Sequence, residues 1–253
     1  MIRSAPQGGE RVDLGVRGKV AVVMAGSRGL GRAAAEALAA EGAHLVVCAR
    51  GEASLESAAA SLRERGTEVV TVAADAADPG TPERLVGVAV DHFGSVDIAV
   101  ANAGGPPPGR ALELAEDQIA GALQANLLAS VRLVAASVPH MRRRRWGRIC
   151  CITSYTVVQA VPTLALSNLA RTGLWAWAKT AAHDLAAEGN GVTLNLVCPG
   201  RHATERMVAL GGDGTGAGDP ADFGKVVAFL CSVPAGFVNG AAIVVDGGET
   251  LAI

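Results

Sequence analysis

The sequence predicts an α/β fold: a doubly wound single domain whose parallel seven-stranded sheet carries helices on both faces. Three observations predict it. Seven short β-branched runs alternate with Ala-rich amphipathic stretches almost from end to end. The runs are continuously apolar rather than alternating, as strands buried on both faces are. A Gly-rich turn stands between the first run and the first amphipathic stretch, where a right-handed crossover begins.

The elements follow in order. The first strand, Val20–Met24, enters the turn Ala25-Gly26-Ser27-Arg28-Gly29-Leu30-Gly31, which opens a helix over Leu30–Glu41. Leu45–Cys48 is the second strand, with a helix over Ser54–Arg65; Val69–Ala73 and Pro82–Phe93 form the third pair. Ile98–Val100 ends in the GGPPPG loop of Gly104–Gly109, a stiff turn, before a long helix over Gln118–Arg144. Ile149–Ile152 precedes a helix over Leu169–Glu188, Thr193–Val197 precedes one over Asp222–Cys231, and Ala242–Val245 closes the sheet. No composition break or repeat divides the chain, so residues 1–253 read as one unit. Residues 1–17 are a polar leader, and 205–219 a shortened, flexible lid region containing GGDGTGAG at Gly211–Gly218.

Composition narrows the function classes. A chain of 253 residues buries about 70–75% of its unfolded surface and needs neither disulfides nor metal to hold a core. Half the residues are apolar but only 3% aromatic, so Ala, Val and Leu must build that core. The net charge of −2 removes the electrostatic argument for a nucleic-acid partner. No uninterrupted apolar run approaches the roughly 18 residues of a membrane span, and the leader lacks a signal-peptide core. The five cysteines contain no C-x-x-C pair and read as apolar filler in a reduced, cytoplasmic protein. The five histidines are scattered, so no metal site is expected. Arg142–Arg145 reads as a solvated helix end complementing the dipole.

The turn carries the first chemistry. Glycines at a strand–helix junction let backbone approach a pyrophosphate, whose charge the helix N-terminus meets. Gly26, Ser27, Arg28, Gly29, Leu30 and Gly31 are therefore candidate cofactor contacts. An NAD site would place an acid at the tip of the second strand; here the tip offers Arg50, the turn offers Arg28, and Glu52 lies close by. Two guanidinium groups where a 2′-phosphate would lie favour NADP(H) over NAD(H).

From about Asp13 to Leu251 the chain resembles the short-chain dehydrogenase/reductase family, in particular its 3-oxoacyl-(acyl carrier protein) reductase-like members. The likeness rests on the Gly-rich turn, Asp75, Asn102-Ala103-Gly104, Asn126, Ser154, Pro199-Gly200, Thr204 and Asp246-Gly247-Gly248. It implies the Rossmann form of the doubly wound fold. It also implies Asp75 near an adenine, Asn102 and Gly104 lining the cofactor, and Pro199, Gly200 and Thr204 beside nicotinamide and diphosphate. Ala25 stands where the family has its first glycine.

The same resemblance implies a Ser that holds the carbonyl oxygen, a proton-donating Tyr, a Lys four residues later, and a supporting Asn. Ser154 and Asn126 match. The only tyrosine is Tyr155, its i+4 residue is Gln159, and no Tyr-x-x-x-Lys occurs anywhere. Aligned by the trailing Gly173-Leu174 and the spacing from Ser154, Ser167 takes the Tyr position and Arg171 the Lys position. Both remain on one helical face. An aliphatic hydroxyl is a far weaker acid than a phenol, and a guanidinium stays charged, so it holds oxygens but relays no proton. Loss of general-acid help, about 10²–10⁴ in rate, would be offset only in part by a bridging water. Tyr155 is either a displaced proton donor or a packed loop aromatic, because neighbours in extended chain face opposite ways. Lys179 lies too far along the helix and reads as salt-bridged or snorkelling.

Met207, Val208 and Leu210 can form only a small apolar flap, so the pocket either opens to a bulky or carrier-bound substrate or is closed by another chain. The leading expectation is an NADP(H)-dependent oxidoreductase acting on a carbonyl or alcohol. The alternatives are non-redox chemistry on the same fold (a lyase, isomerase or cyclase) and a catalytically silent cofactor-binding subunit. Leu169, Leu174, Trp175 and Trp177 make their helix apolar enough for a homodimer or homotetramer, although burial on the chain's own sheet explains many of them.

Overall fold

A computed structural model describes residues 12–252, so most of the polar leader lies outside the described residues. Seven strands form one sheet in the order β3-β2-β1-β4-β5-β6-β7, every neighbouring pair parallel. They are β1 Val20–Val23, β2 His44–Ala49, β3 Val69–Ala73, β4 Ile98–Ala101, β5 Gly147–Ile152, β6 Val192–Pro199 and β7 Ala242–Val245. The order reverses between β1 and β4, and it is there that doubly wound sheets open a crevice at their carboxyl ends.

The helices are α1 Gly29–Ala40, α2 Glu52–Arg63, α3 Thr81–Phe93, α4 Glu116–Leu123, α5 Ala129–Arg144, α6 Ala165–Glu188, α7 Glu205–Ala209 and α8 Pro220–Leu230. Strand side chains alternate between two cores. Val22, Val46 and Ala99 join the core under α3, α5 and α6, while Val23, Val47 and Val100 join the core under α1, α2 and α8. Leu166, Ala170, Leu174, Ala178, Ala182 and Leu185 form the buried stripe of α6 at helical spacing. Trp175 and Trp177 also pack on their own core, leaving Leu169 as the exposed apolar residue of that group.

Three expectations need correction. The long helix over Gln118–Arg144 is divided: α4 and α5 are joined by a π-helical turn at Gln124–Leu128, which widens the coil where Asn126 must turn inward. The stretch Glu116–Arg144 is also long and apolar enough, by length and composition, to cross a membrane. In the fold its α5 part seats one face on the sheet through Leu133, Val134, Val138 and Met141. Lys179, expected to be salt-bridged or snorkelling, has no acid partner among the described residues; its exposed side chain donates Nζ to the Gly240 carbonyl at 3.0 Å.

Helices α1 and α8 approach closely because Gly224 faces the α1 backbone. A Cβ at Gly224 would lie 2.3 Å from the Ala33 carbonyl oxygen. Gly224→Ala should therefore separate the two helices and cost about 1–3 kcal/mol as overpacking does. An unchanged urea midpoint for that variant would contradict this packing.

Candidate active site

A cleft of about 1500 Å³ runs along the carboxyl ends of β1 to β6. Its floor begins at the turn after β1. Ala25 takes a left-handed conformation, φ +48°, so the position where a glycine was expected is turned in spite of its methyl group. The turn is tied down by the Gly26 N–H to the Cys48 carbonyl at 3.0 Å and by Asn102 Nδ2 to the Ala25 carbonyl at 3.3 Å. Gly31 packs behind it, where a Cβ would stand 2.4 Å from both the Ala25 oxygen and Asn102 Nδ2. Gly26 and Gly31 thus shape the turn from behind, whereas Ser27, Arg28, Gly29 and Leu30 face the cleft.

Helix α1 begins at Arg28 in extended conformation with no side-chain cap. Its first N–H groups point at the cleft with the positive end of the helix dipole. Asp75 and Arg50 stand at the β2 end, 3.7 Å apart and both solvent-facing. Arg28 reaches across to Glu205 at 3.1 Å. Gly104, Pro199, Gly200 and Thr204 line the middle, and Thr204 also caps α7 by accepting the Met207 N–H. An uncapped helix start, a glycine that excludes a side chain and an elongated cleft together fit a dinucleotide.

The far end of the cleft gathers the catalytic candidates. Arg171 is 7% exposed. Its guanidinium donates to the carbonyls of Ile152 at 3.0 Å and Thr153 at 2.7 Å, and to Asn126 Oδ1 at 3.0 Å. Those bonds occupy three of its five N–H donors. Burial, reinforced by the positive charge of Arg206, brings its pKa down to about 10. One turn earlier, Ser167 Oγ lies 3.3 Å from Thr156 Oγ1. Ser154 Oγ accepts the Thr156 N–H at 3.2 Å. Ser154, Ser167, Arg171 and Asn126 all line the cleft together with Tyr155.

The extended-chain objection to Tyr155 is overturned, because the chain bends into a 3₁₀ turn at Tyr155–Val157 and brings Tyr155 to the same cleft as Ser154. Burial raises the phenol pKa, helped by Glu249 and Asp246 and opposed by Arg201. The lid region is also more organised than expected. Helix α7 and its C-cap place Met207 and Leu210 on the cleft, with Val208 and Leu210 both exposed, and Gly218 closes the loop through backbone bonds to Arg201 and Ala203. Sequence reasoning missed Thr156, whose only local sign is its place two residues after Ser154, and Arg206, for which no motif exists.

The five cysteines are free and buried, and burial raises the thiol pKa of Cys48, Cys151 and Cys198. That makes them packing residues rather than nucleophiles. Among the described residues no group of His, Cys, Asp and Glu is arranged to hold a metal ion.

A family model described as enoyl-(acyl carrier protein) reductase matches residues 24–250. The chain belongs to the short-chain dehydrogenase/reductase family. Dehydrogenase/reductase SDR family member 4 of Sus scrofa is 32% identical over 260 residues, covering 98% of this chain and 92% of the relative. An uncharacterized oxidoreductase of Mycobacterium tuberculosis is 33% identical over 245 residues, covering 92% of each. Among solved structures, L-sorbose reductase of Gluconobacter frateurii, complexed with NADPH and L-sorbose, superimposes with a TM-score of 0.88 at 32% identity. That match covers 95% of this chain and 100% of the other. Ser167 and Arg171 stand one turn apart on α6 at the far end of this cleft.

Removing the Arg171 guanidinium leaves three acceptors without their donor. Arg171→Met should lower stability by about 3 kcal/mol, since bonds to a charged group are worth about 1.5–3 kcal/mol each and do not add fully. Arg171→Lys should recover only part of this, because an ammonium lacks the planar fork. Equal urea midpoints for wild type and Arg171→Met would refute the clamp.

Proposed function

We propose that the protein is an NADP(H)-dependent oxidoreductase that interconverts a carbonyl and an alcohol at the Ser154–Ser167 end of the cleft. The observation that carries this is the continuity of one cleft from the uncapped start of α1 to the hydroxyls around Arg171. Membership of an oxidoreductase family and the NADPH complex of a similar reductase support it.

Ser27, the α1 N-terminus and Thr204 would hold the diphosphate, Asn102 and Gly104 the middle of the dinucleotide, and Arg171 a ribose oxygen with its remaining donors. Arg28 and Arg50 would hold a 2′-phosphate. Their present pairs are exposed, worth about 0–1 kcal/mol, so a phosphate displaces the carboxylates at little cost. When bound, the nicotinamide supplies or accepts the hydride.

The protein's own groups handle the oxygen and proton. Ser154 accepts from backbone, so its hydroxyl proton is free to bond a carbonyl oxygen in the cleft. Ser167 and Thr156 share one hydrogen bond between two hydroxyls, which leaves one proton to donate outward. Arg171 stays cationic at neutral pH and stabilises negative charge developing on that oxygen. Tyr155, its pKa raised, stays protonated at neutral pH. None of these is an acid tuned to neutrality, so turnover is expected to be slow. That same observation favours the second reading, a subunit that binds the dinucleotide without turnover.

Titrating NADPH and NADH against the protein by its intrinsic tryptophan fluorescence tests the cofactor, and NADPH oxidation with a panel of ketones tests turnover. NADPH binding with turnover supports the oxidoreductase; binding without turnover selects the second reading; no binding defeats both. Replacing Arg28 and Arg50 together by Ala should weaken NADPH at least about tenfold and NADH hardly at all, as befits loss of charge-assisted bonds. Ser167→Tyr combined with Arg171→Lys should raise ketone reduction, by up to the 10²–10⁴ that general acid catalysis supplies. A flat or lower rate would mean that the proton travels by another route.

A further inference from the structure

Five arginines line the cleft, and their partners differ along its length. Arg50 faces Asp75 at 3.7 Å, Arg28 faces Glu205 at 3.1 Å, and Arg201 faces Glu249 at 2.8 Å. Among the described residues, Arg171 and Arg206 have no carboxylate within ion-pair distance. The carboxylates that line the cleft, Asp75 and Glu205, are already engaged by other arginines.

Arg206 projects from α7 onto the GGPPPG loop. Its Nη2 donates to the Pro106 carbonyl, and its guanidinium covers Gly105 so closely that a Cβ there would lie 2.8 Å from Nε. The absence of a side chain at Gly105 is what seats the guanidinium in the cleft wall. Burial lowers the pKa of Arg206, and its charge in turn lowers that of Arg171. Two partly desolvated cations thus bear on one end of the cleft, balanced only by carbonyl and amide oxygens. Such a pair is costly in the empty protein and is relieved by an anion placed between the walls.

We propose that the substrate carries an oxyanion, a carboxylate or a phosphate, which Arg206 binds in the field of Arg171. The substrate class is then an oxo acid or phosphorylated ketone and the corresponding alcohol. This rests on the oxidoreductase reading for the chemistry but not for the binding. In binding, Arg206 acts as a specificity residue that joins α7 to the loop after β4 across the anion.

Isothermal titration of acetoacetate, its methyl ester and dihydroxyacetone phosphate tests the site, with the protein first free and then saturated with NADP⁺, where no turnover occurs. At least one of the two anions should bind at least tenfold more tightly than the neutral ester, and which one does identifies the oxyanion. Arg206→Gln should abolish that preference while changing NADP⁺ affinity less than twofold, and Arg206→Lys should retain part of it. An ester that binds as well as both anions overturns the proposal. So does an Arg206→Gln variant that loses NADP⁺ in step with the anion, since Arg206 would then serve the dinucleotide's own phosphates. Failure of NADP⁺ to bind defeats the cofactor-dependent readings and not this proposal, because the ratio of anion to ester is still read in the free protein.

Discussion

A buried guanidinium organises the reactive end of this molecule. Arg171 ties three separate pieces of chain together: the end of β5 through Ile152 and Thr153, the π-helical turn through Asn126, and its own helix α6. Among the described residues no carboxylate pairs with it, so oriented dipoles stabilise the cation instead. Desolvating an ion costs several kcal/mol, and good geometry on every donor is what makes such an arrangement tolerable. Ser154, Tyr155 and Thr156 follow the clamped residue Thr153 directly, and Ser167 lies one turn from the clamp. Their positions are therefore consequences of where Arg171 is held.

Ser167 and Arg171, one turn apart on α6, shape this end of the cleft together. A planar fork reaches two carbonyls and an amide at once, which one ammonium group cannot do with the same directions. A hydroxymethyl group at 167 occupies far less room than a phenol ring and leaves its bond with Thr156 at the cleft wall. Against the Tyr and Lys that the family resemblance implies, this pair offers the same formal charge, more space and a far weaker acid.

Much of the fold was legible in the sequence because parallel strands covered on both sides leave a simple trace, unbroken apolar runs such as Val20–Val23 and Ile149–Ile152. All seven strands stand where those runs predict them. The turn after β1 was legible for a similar reason, since the close contact at Gly31 tolerates no side chain. What escaped depends on tertiary partners. The π-helical turn at Gln124–Leu128 has no period of its own, and Asn126 bonds a residue far along the chain. Helix α7 has five residues, too few for a pattern to register. The bend at Tyr155 and the seating of Arg206 on Gly105 arise from loops whose paths local propensity does not determine. Uninterrupted runs were also the wrong measure for Glu116–Arg144, whose apolar character emerges only on averaging.

The contact between Gly224 and Ala33 reaches beyond stability. Helix α8 is fastened to α1 there, and Asp219 caps α8 by accepting the Ala221 N–H. At its other end, the segment between β6 and α8 is anchored by Thr204, which lies beside Gly29 at the start of α1. The strap over the cleft is thus pinned at both ends to a single rigid rod. Any flexing of this strap is therefore confined to the stretch between those two contacts, and its anchor shares a foundation with the turn after β1.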